Sequence, residues 1–218
     1  MKPVFPLFVS FALLAAGPAM AHAADAQHAP ASQAAAATAP TAPKLHAAMR
    51  SLWHGHIVNT RDYAMAVHAG DQAKAGKSAD AVVTNAKQIA DAVAGFYGKP
   101  AGERMLQLLA GHWGAVKAMT DARAKGDTAG SNKAMADLAA NASEIAKFLA
   151  GANPNLPEDA VRGLLLQHGA DHGQQVGQIM AGDSKGEAET WKHMQAHMDT
   201  IADALAGAIA KQFPDKAS

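Results

Sequence analysis

The chain has 218 residues, of which 19 are basic and 19 acidic, so its formal net charge at neutral pH is zero. Balanced charge gives no electrostatic reason to expect nucleic acid or an anionic membrane surface as a partner. The absence of cysteine excludes disulfides, thiolate metal ligands and covalent haem attachment. Hydrophobic residues make up 49% of the chain and aromatic residues only 5%, and the abundant alanine favours helices.

The first 23 residues have the three parts of a signal peptide. Lys2 supplies a basic start, residues 4–16 form an apolar run, and Ala21 and Ala23 complete A-x-A cleavage patterns. The apolar run is too short to span a bilayer, and no second run of membrane length follows it. We therefore predict export to the periplasm, or secretion, without membrane insertion after cleavage.

Residues 24–43 are rich in alanine and contain three prolines, and they have no apolar periodicity. A segment of this composition cannot bury enough apolar surface to offset its loss of conformational entropy. We predict that it is a disordered tether, and that residues 44–218 form the folded domain.

The predicted domain carries an internal repeat with a period of 56 residues. The dipeptide Gly-Asp recurs at that spacing, at Gly70-Asp71, Gly126-Asp127 and Gly182-Asp183. The same offset relates three histidines, His56, His112 and His168. Agreement at one offset predicts three tandem units, at about 44–99, 100–155 and 156–214.

Each unit is predicted to be a helical hairpin. Apolar residues in both arms follow steps of three and four, and no stretch alternates with the period of two that is typical of strands. The predicted helices cover about 44–69, 78–97, 101–125, 129–151, 157–181 and 185–213. The fold class is all-α, with three antiparallel hairpins packed as a six-helix bundle, and a short α-solenoid is the alternative.

Polar residues interrupt the apolar stripe at equivalent positions of each hairpin. These positions, called the polar layer below, are His56 with Asn85, His112 with Asn141, and His168 with His197. A buried polar group without a hydrogen-bond partner costs about 1–3 kcal/mol. For His56 with Asn85 and for His112 with Asn141, hydrogen bonds across the hairpin, which would fix the helix register, are the favoured interpretation. The other interpretation is that the imidazoles converge and share a metal ion, which depends on helix rotation.

The third hairpin adds two histidines, His172 and His193, that the other hairpins do not have. The pairs His168/His172 and His193/His197 are each spaced i, i+4, and residues at this spacing lie about 5–6 Å apart on one helical face. Both pairs stand in mirror register across the last Gly-Asp turn. We predict a metal site at these four histidines, with the remaining two histidines of the polar layer as secondary ligands.

The ligand types favour some metals over others. Neutral imidazoles without thiolates or carboxylates suit Zn²⁺, Cu²⁺ or Ni²⁺ better than Ca²⁺ or Mg²⁺. Zinc and copper are the predicted cofactors, if any metal binds. Copper also comes into consideration because three methionines, Met180, Met194 and Met198, lie near these histidines in the sequence, and thioethers are copper ligands. The favoured role of these methionines is flexible filling of the core.

Common catalytic motifs are missing from the chain. It contains no Glu-x-x-His, His-Glu-x-x-His, Gly-x-Ser-x-Gly or phosphate-binding glycine loop. We also expect no acidic residue on the inward face of the third hairpin that could act as a general base. The leading hypothesis is an exported, non-enzymatic bundle that binds zinc or copper for buffering, storage or sensing. The alternatives are a structural or interaction module with a hydrogen-bonded His/Asn core and, third, an enzyme using the histidines.

Several short elements resemble a family of uncharacterised bacterial all-helical proteins. They are Leu52-Trp53-x-x-His56 with Thr60-Arg61, then Asn153-Pro154-Asn155, then Gln212-Phe213-Pro214. The resemblance covers the predicted domain, implies an all-helical fold, and includes His112, Asn141, His168 and His197. It does not extend to His172 and His193. Because the function of that family is not established, the resemblance implies no activity.

Overall fold

The computed structural model describes residues 41–217, so the predicted signal peptide and nearly all of the predicted tether lie outside the described residues. Residues 41–217 are helical almost throughout and contain no strand, which confirms the all-α prediction. The helices are α1 (Pro43–His68), α2 (Gln72–Tyr97), α3 (Lys99–Ala124), α4 (Thr128–Ala152), α5 (Glu158–Ala181), α6 (Ser184–Gln212) and α7 (Pro214–Ala217). Within this range, every helix falls short of the length or hydropathy that a membrane span requires.

The three Gly-Asp dipeptides form the turns between α1 and α2, α3 and α4, and α5 and α6. Their glycines have φ of 71°, 70° and 70°, a left-handed conformation that glycine adopts without steric cost. The aspartate that follows each glycine caps the next helix, because its carboxylate accepts the backbone N–H three residues later. Each hairpin therefore reverses the chain by the same local chemistry.

Two helix boundaries differ from the sequence prediction. The second helix begins at Gln72 rather than near residue 78, because Asp71 caps it directly after the turn. Its first turns carry few apolar residues, so the apolar periodicity alone placed the start too late. A short helix, α7, also begins at Pro214, directly after the predicted end of the last helix.

The six long helices form a closed arrangement. Each helix packs against the next one along the chain, and α6 returns to pack against α1. The helices α1, α3 and α5 also contact one another, so these three make the inner part of the bundle. Contact between the first and last long helices gives the predicted bundle rather than an open α-solenoid. The 56-residue repeat stays a prediction from the sequence.

Two apolar clusters fill the core. One contains Trp53, Leu108 and Leu165 together with the fully buried Met194 and Met198. The other contains a different set of residues from the same inner helices, Tyr63, Trp113, Val116, Val176 and Ile179. Met180 is partly buried and packs against the second cluster. On α1, α3 and α5, the histidines of the polar layer lie near the boundary between the two apolar clusters.

Candidate metal centre

Four histidines meet in the middle of the bundle. They are His56 of α1, His112 of α3, and His168 and His172 of α5, called the histidine cluster below. One ring nitrogen from each lies within 4.8 Å of the corresponding nitrogen of every other member. All four residues are between 1% and 5% exposed, so the cluster is closed off from solvent.

The four rings are arranged as the corners of a distorted tetrahedron. The ring centroids of His56, His112 and His168 are 5.4, 5.6 and 5.7 Å apart, which is close to an equilateral triangle. The ring of His172 lies 4.4 Å from His168 and 5.7 and 5.8 Å from the other two. The equivalent polar-layer histidines therefore converge, as the second interpretation of the sequence required, and His172 supplies a fourth corner.

Hydrogen bonds satisfy few of the buried ring nitrogens. The Nε2 atoms of His168 and His172 are 3.0 Å apart and form one hydrogen bond. Nε2 of His56, both nitrogens of His112 and Nδ1 of His168 have no hydrogen-bond partner. Each such atom costs about 1–3 kcal/mol when it is buried without a partner. The cluster is thus a poor hydrogen-bond network, and its unpartnered ring nitrogens are available to bind a ligand.

The environment of the cluster keeps the imidazoles neutral. Burial lowers the pKa of His56 to about 3, with a smaller contribution from the charge of His112. Burial also lowers the pKa of His112 to about 4. The pKa values of His168 and His172 lie well below the usual value because of burial first and the neighbouring imidazoles second. At neutral pH each ring therefore keeps one nitrogen lone pair, which is the form that binds metals.

The favoured interpretation of the sequence placed hydrogen bonds between the asparagines and the histidines of the polar layer, but the asparagine amides donate to the helix backbone instead. The side chain of Asn141 still raises the pKa of His112, which opposes the larger effect of burial. Asn85 Nδ2 donates to the carbonyl of Leu52 at 3.0 Å, and Asn141 Nδ2 donates to the carbonyl of Leu108 at 3.0 Å. In an α-helix, each of these carbonyls also accepts the backbone N–H of the layer histidine four residues later. The asparagines therefore brace the helical turn that carries the histidine, and leave its ring free.

Glycines allow the close approach of both asparagines. A Cβ atom on Gly55 would lie 2.9 Å from Nδ2 of Asn85, and one on Gly111 would lie 3.1 Å from Nδ2 of Asn141. These glycines directly precede the layer histidines of α1 and α3. The absence of a side chain at these positions lets the amide reach the helix backbone.

The two histidines of α6 lie outside the histidine cluster. His197 is partly buried, and its Nε2 donates to the carbonyl of Leu164 at 2.9 Å, the role that the asparagines have in the other hairpins. The side chain of His193 is 59% exposed, and its ring stacks on His197 with a centroid distance of 6.1 Å. Of the four histidines predicted as primary ligands, only His168 and His172 belong to the histidine cluster. The other two members of the cluster are the predicted secondary ligands, His56 and His112.

Two buried carboxylates contradict the expectation that the third hairpin has no inward acidic residue. Asp171 is 3% exposed and Glu187 is 5% exposed. Arg61 of α1 donates two hydrogen bonds to Glu187, at 2.6 and 2.8 Å, and Gln175 donates a third at 2.9 Å. One oxygen of Asp171 has no partner. Asp171 lies next to His172 and three residues after His168 in the sequence. This spacing is a signal from which its place near the cluster could have been predicted.

A small apolar cavity of about 30 Å³ borders three of the four rings. Its wall consists of His56, His112 and His168 together with Trp53 and aliphatic residues of α3 to α6 and of the segment before α5. A buried water needs about 10–15 Å³ and two to four polar partners. The cavity is large enough for a water, but its wall is almost entirely apolar and the unpartnered ring nitrogens are not accessible from it, so it offers a water too few polar partners.

The cluster fits the coordination chemistry of a d-block metal. Zinc–nitrogen bonds of about 2.0–2.1 Å set the edge of a tetrahedral ligand set at roughly 3.3 Å. The 3.0 Å between the Nε2 atoms of His168 and His172 is close to this length, and the other ligand atoms lie within 4.8 Å of one another. To complete a tetrahedron, the more distant of these nitrogens would have to approach one another by up to about 1.5 Å. The cluster contains no carboxylate, which disfavours Ca²⁺ and Mg²⁺.

Comparison of the chain with known protein families, with curated proteins and with solved structures found no match. The resemblance to a family of bacterial helical proteins stays a prediction.

Proposed function

We propose that the histidine cluster binds one transition-metal ion, zinc or copper, in an exported protein that buffers, stores or senses that metal. The observation that carries this proposal is the convergence of four buried, neutral imidazoles from three helices, with four of their nitrogens lacking any hydrogen-bond partner. A metal ion would take up lone pairs that are otherwise buried without compensation. Export rests on the signal-peptide pattern of residues 1–23.

The number of ligands argues for metal holding rather than metal catalysis. Catalytic zinc sites have three protein ligands and keep one position open for water or substrate, whereas four protein ligands are typical of closed sites. The cluster offers four histidines, and each is at most 5% exposed. Such a site suits buffering, storage or sensing, in which the protein binds and releases the ion itself.

Metal analysis and thermal unfolding test the proposal. The tag-free mature protein should contain about one zinc or copper per chain, or take up one ion after treatment with a chelator. At a free metal concentration 100 times the Kd, binding adds about 2.7 kcal/mol to the free energy of unfolding, and the melting temperature rises by roughly 5–10 °C. Replacing His112 by Ala should abolish this rise. The exposed His68 at the end of α1 gives the control, because His68→Ala should leave the rise unchanged.

A structural role is the second candidate, and the hydrogen bond between Nε2 of His168 and Nε2 of His172 favours it. The four rings would then pack against one another as a polar core without an ion. In that case no metal would co-purify, and neither zinc nor copper would change the melting temperature. This outcome would show that the metal proposal is wrong.

A further inference from the structure

The histidine cluster has no exposed ligand that could make the first contact with a metal ion. All four members are at most 5% exposed. A hydrated ion must exchange its waters for protein ligands, and this exchange is easier when ligands are offered one after another. A group that captures the ion at the surface and lies beside the cluster would supply the first of these ligands.

Asp171 of α5 is buried and has the properties of the inner ligand of such a site. Its Oδ1 accepts a hydrogen bond from Nε2 of Gln167 at 2.8 Å. Its Oδ2 is buried and has no hydrogen bond. A buried carboxylate oxygen without a hydrogen bond is unfavourable, because it has lost hydration that no hydrogen bond replaces. A cation at Oδ2 would remove this cost.

His193 of α6 faces the same oxygen from the solvent side. Its Nδ1 lies 3.4 Å from Oδ2 of Asp171, and its side chain is 59% exposed. Two ligands of one tetrahedral ion are separated by roughly 3.3 Å, so this pair is spaced to share an ion. With only two protein ligands, the remaining positions of the ion would stay hydrated and exchangeable.

The pair also lies beside the cluster. Asp171 directly precedes His172 and follows His168 by three residues on α5. The ring of His193 stacks on that of His197 with an angle of 5° between their planes. His197 in turn is close enough to His168 for its charge to contribute to the lowered pKa of His168. Because Nε2 of His197 donates to the Leu164 carbonyl, Nδ1 is the ring atom that is left to contact an ion.

We propose that Asp171 and His193 form an outer cation site, which captures a divalent transition-metal ion from solvent and passes it to the histidine cluster. This inference rests on the proposed function, because it assigns the route by which the cluster is loaded. The alternative role of the pair is a plain ion pair between α5 and α6.

The kinetics of metal exchange distinguish these roles. The full mature chain, freed of metal, is mixed with Co²⁺, and the absorption of tetrahedral cobalt reports occupancy of the cluster. A route lowers the barrier for loading and unloading alike, so its loss changes both rates by the same factor and leaves the Kd unchanged. We expect His193→Ala and Asp171→Asn each to slow loading and unloading by about tenfold, within the range by which charged groups steer ions.

His54 provides a matched control. Its Nε2 lies 2.9 Å from Oδ1 of Asp199, so it joins α1 to α6 by a His–Asp pair, as His193 and Asp171 join α6 to α5, but the Asp199 side chain is 37% exposed. His54→Ala should leave both rates as in the wild type. If the Asp171 and His193 variants load at the wild-type rate, or if their Kd rises in proportion to the slower loading, the outer site does not exist as proposed. Failure of the metal-binding proposal itself would look different, because the wild type would show no tetrahedral cobalt spectrum.

Discussion

Acidification should destabilise the metal-free protein through the histidine cluster. The pKa of His56 falls from 6.5 in the unfolded chain to about 3 in the folded protein, and that of His112 falls to about 4. A histidine whose pKa is lowered by folding binds more protons in the unfolded state at intermediate pH. The free energy of unfolding therefore has its full value above pH 6.5. It decreases as the pH falls from 6.5 toward the folded pKa, because the unfolded chain takes up the proton first.

The size of this effect follows from the two pKa values. At pH 5 both rings are still neutral in the folded protein, whereas both are protonated in the unfolded chain. One pKa unit corresponds to about 1.4 kcal/mol, so each histidine lowers the free energy of unfolding by about 2 kcal/mol between pH 7.5 and pH 5. Together His56 and His112 remove about 4 kcal/mol, and the lowered pKa values of His168 and His172 act in the same direction.

Urea denaturation in the presence of a chelator measures this loss. The free energy of unfolding should fall by about 4 kcal/mol or more between pH 7.5 and pH 5. The double variant His56→Leu/His112→Leu should lose much less over the same interval, because two of the titrating groups are gone. His68→Ala should behave like the wild type, since His68 is exposed. Equal free energies of unfolding at the two pH values would refute the reasoning.

Two further predictions concern stability away from the cluster. Arg61→Met should lower the free energy of unfolding by about 3 kcal/mol in urea denaturation at pH 7, because it leaves the buried Glu187 carboxylate without its partner. Adding Glu187→Gln should recover part of the loss, and no recovery would show that the lost charge pairing is not the cause. Gly102→Ala should destabilise the protein by about 1–3 kcal/mol, because the new Cβ would lie 2.8 Å from the backbone oxygen of Ala90. Gly114 lies in the same helix, and a Cβ atom there would have no heavy atom within 4 Å. Gly114→Ala should therefore raise the free energy of unfolding by about 0.5–1 kcal/mol and raise the thermal midpoint as well. Equal effects of the two alanine substitutions would contradict the packing argument.

The helices could be predicted from the sequence because local chemistry determines them. The three Gly-Asp turns combine a left-handed glycine with a capping aspartate, and both effects act within a few residues. The apolar stripes give the buried face of each helix. The start of α2 was misplaced because its cap, Asp71, and not its first apolar residue, determines where the helix begins.

The histidine cluster could be predicted only in part. Equal spacing from the turns places His56, His112 and His168 at one height, but their convergence depends on α1, α3 and α5 being the inner helices, which is a property of tertiary packing. The mirror register of His193 and His197 predicts their position along α6 but not the direction of their side chains. In the structure, His197 contacts the Leu164 carbonyl and His193 faces solvent.

Asp171 shows a second limit of pattern reasoning. An amphipathic stripe assumes that a helix buries one face, and Asp171 lies beside the stripe of α5 rather than on it. As an inner helix, α5 contacts α1, α3, α4 and α6, so a wider arc of its surface is buried. Asp171 and Gln175 are consequently buried, although neither side chain is apolar.

The inner helices also constrain how many ligands the bundle can present to one ion. Three similar helices around a common axis offer ligands in sets of three, so a tetrahedral shell built from protein ligands alone needs a fourth ligand that breaks this symmetry. His172 departs from this symmetry, because the corresponding residues of the other hairpins are Thr60, whose hydroxyl donates to the helix backbone, and Val116, which has no donor atom. One substitution in one hairpin thus raises the number of converging imidazoles from three to four. Histidine at Thr60 and Val116 as well would return the bundle to threefold symmetry with six imidazoles, a shell suited to octahedral ions.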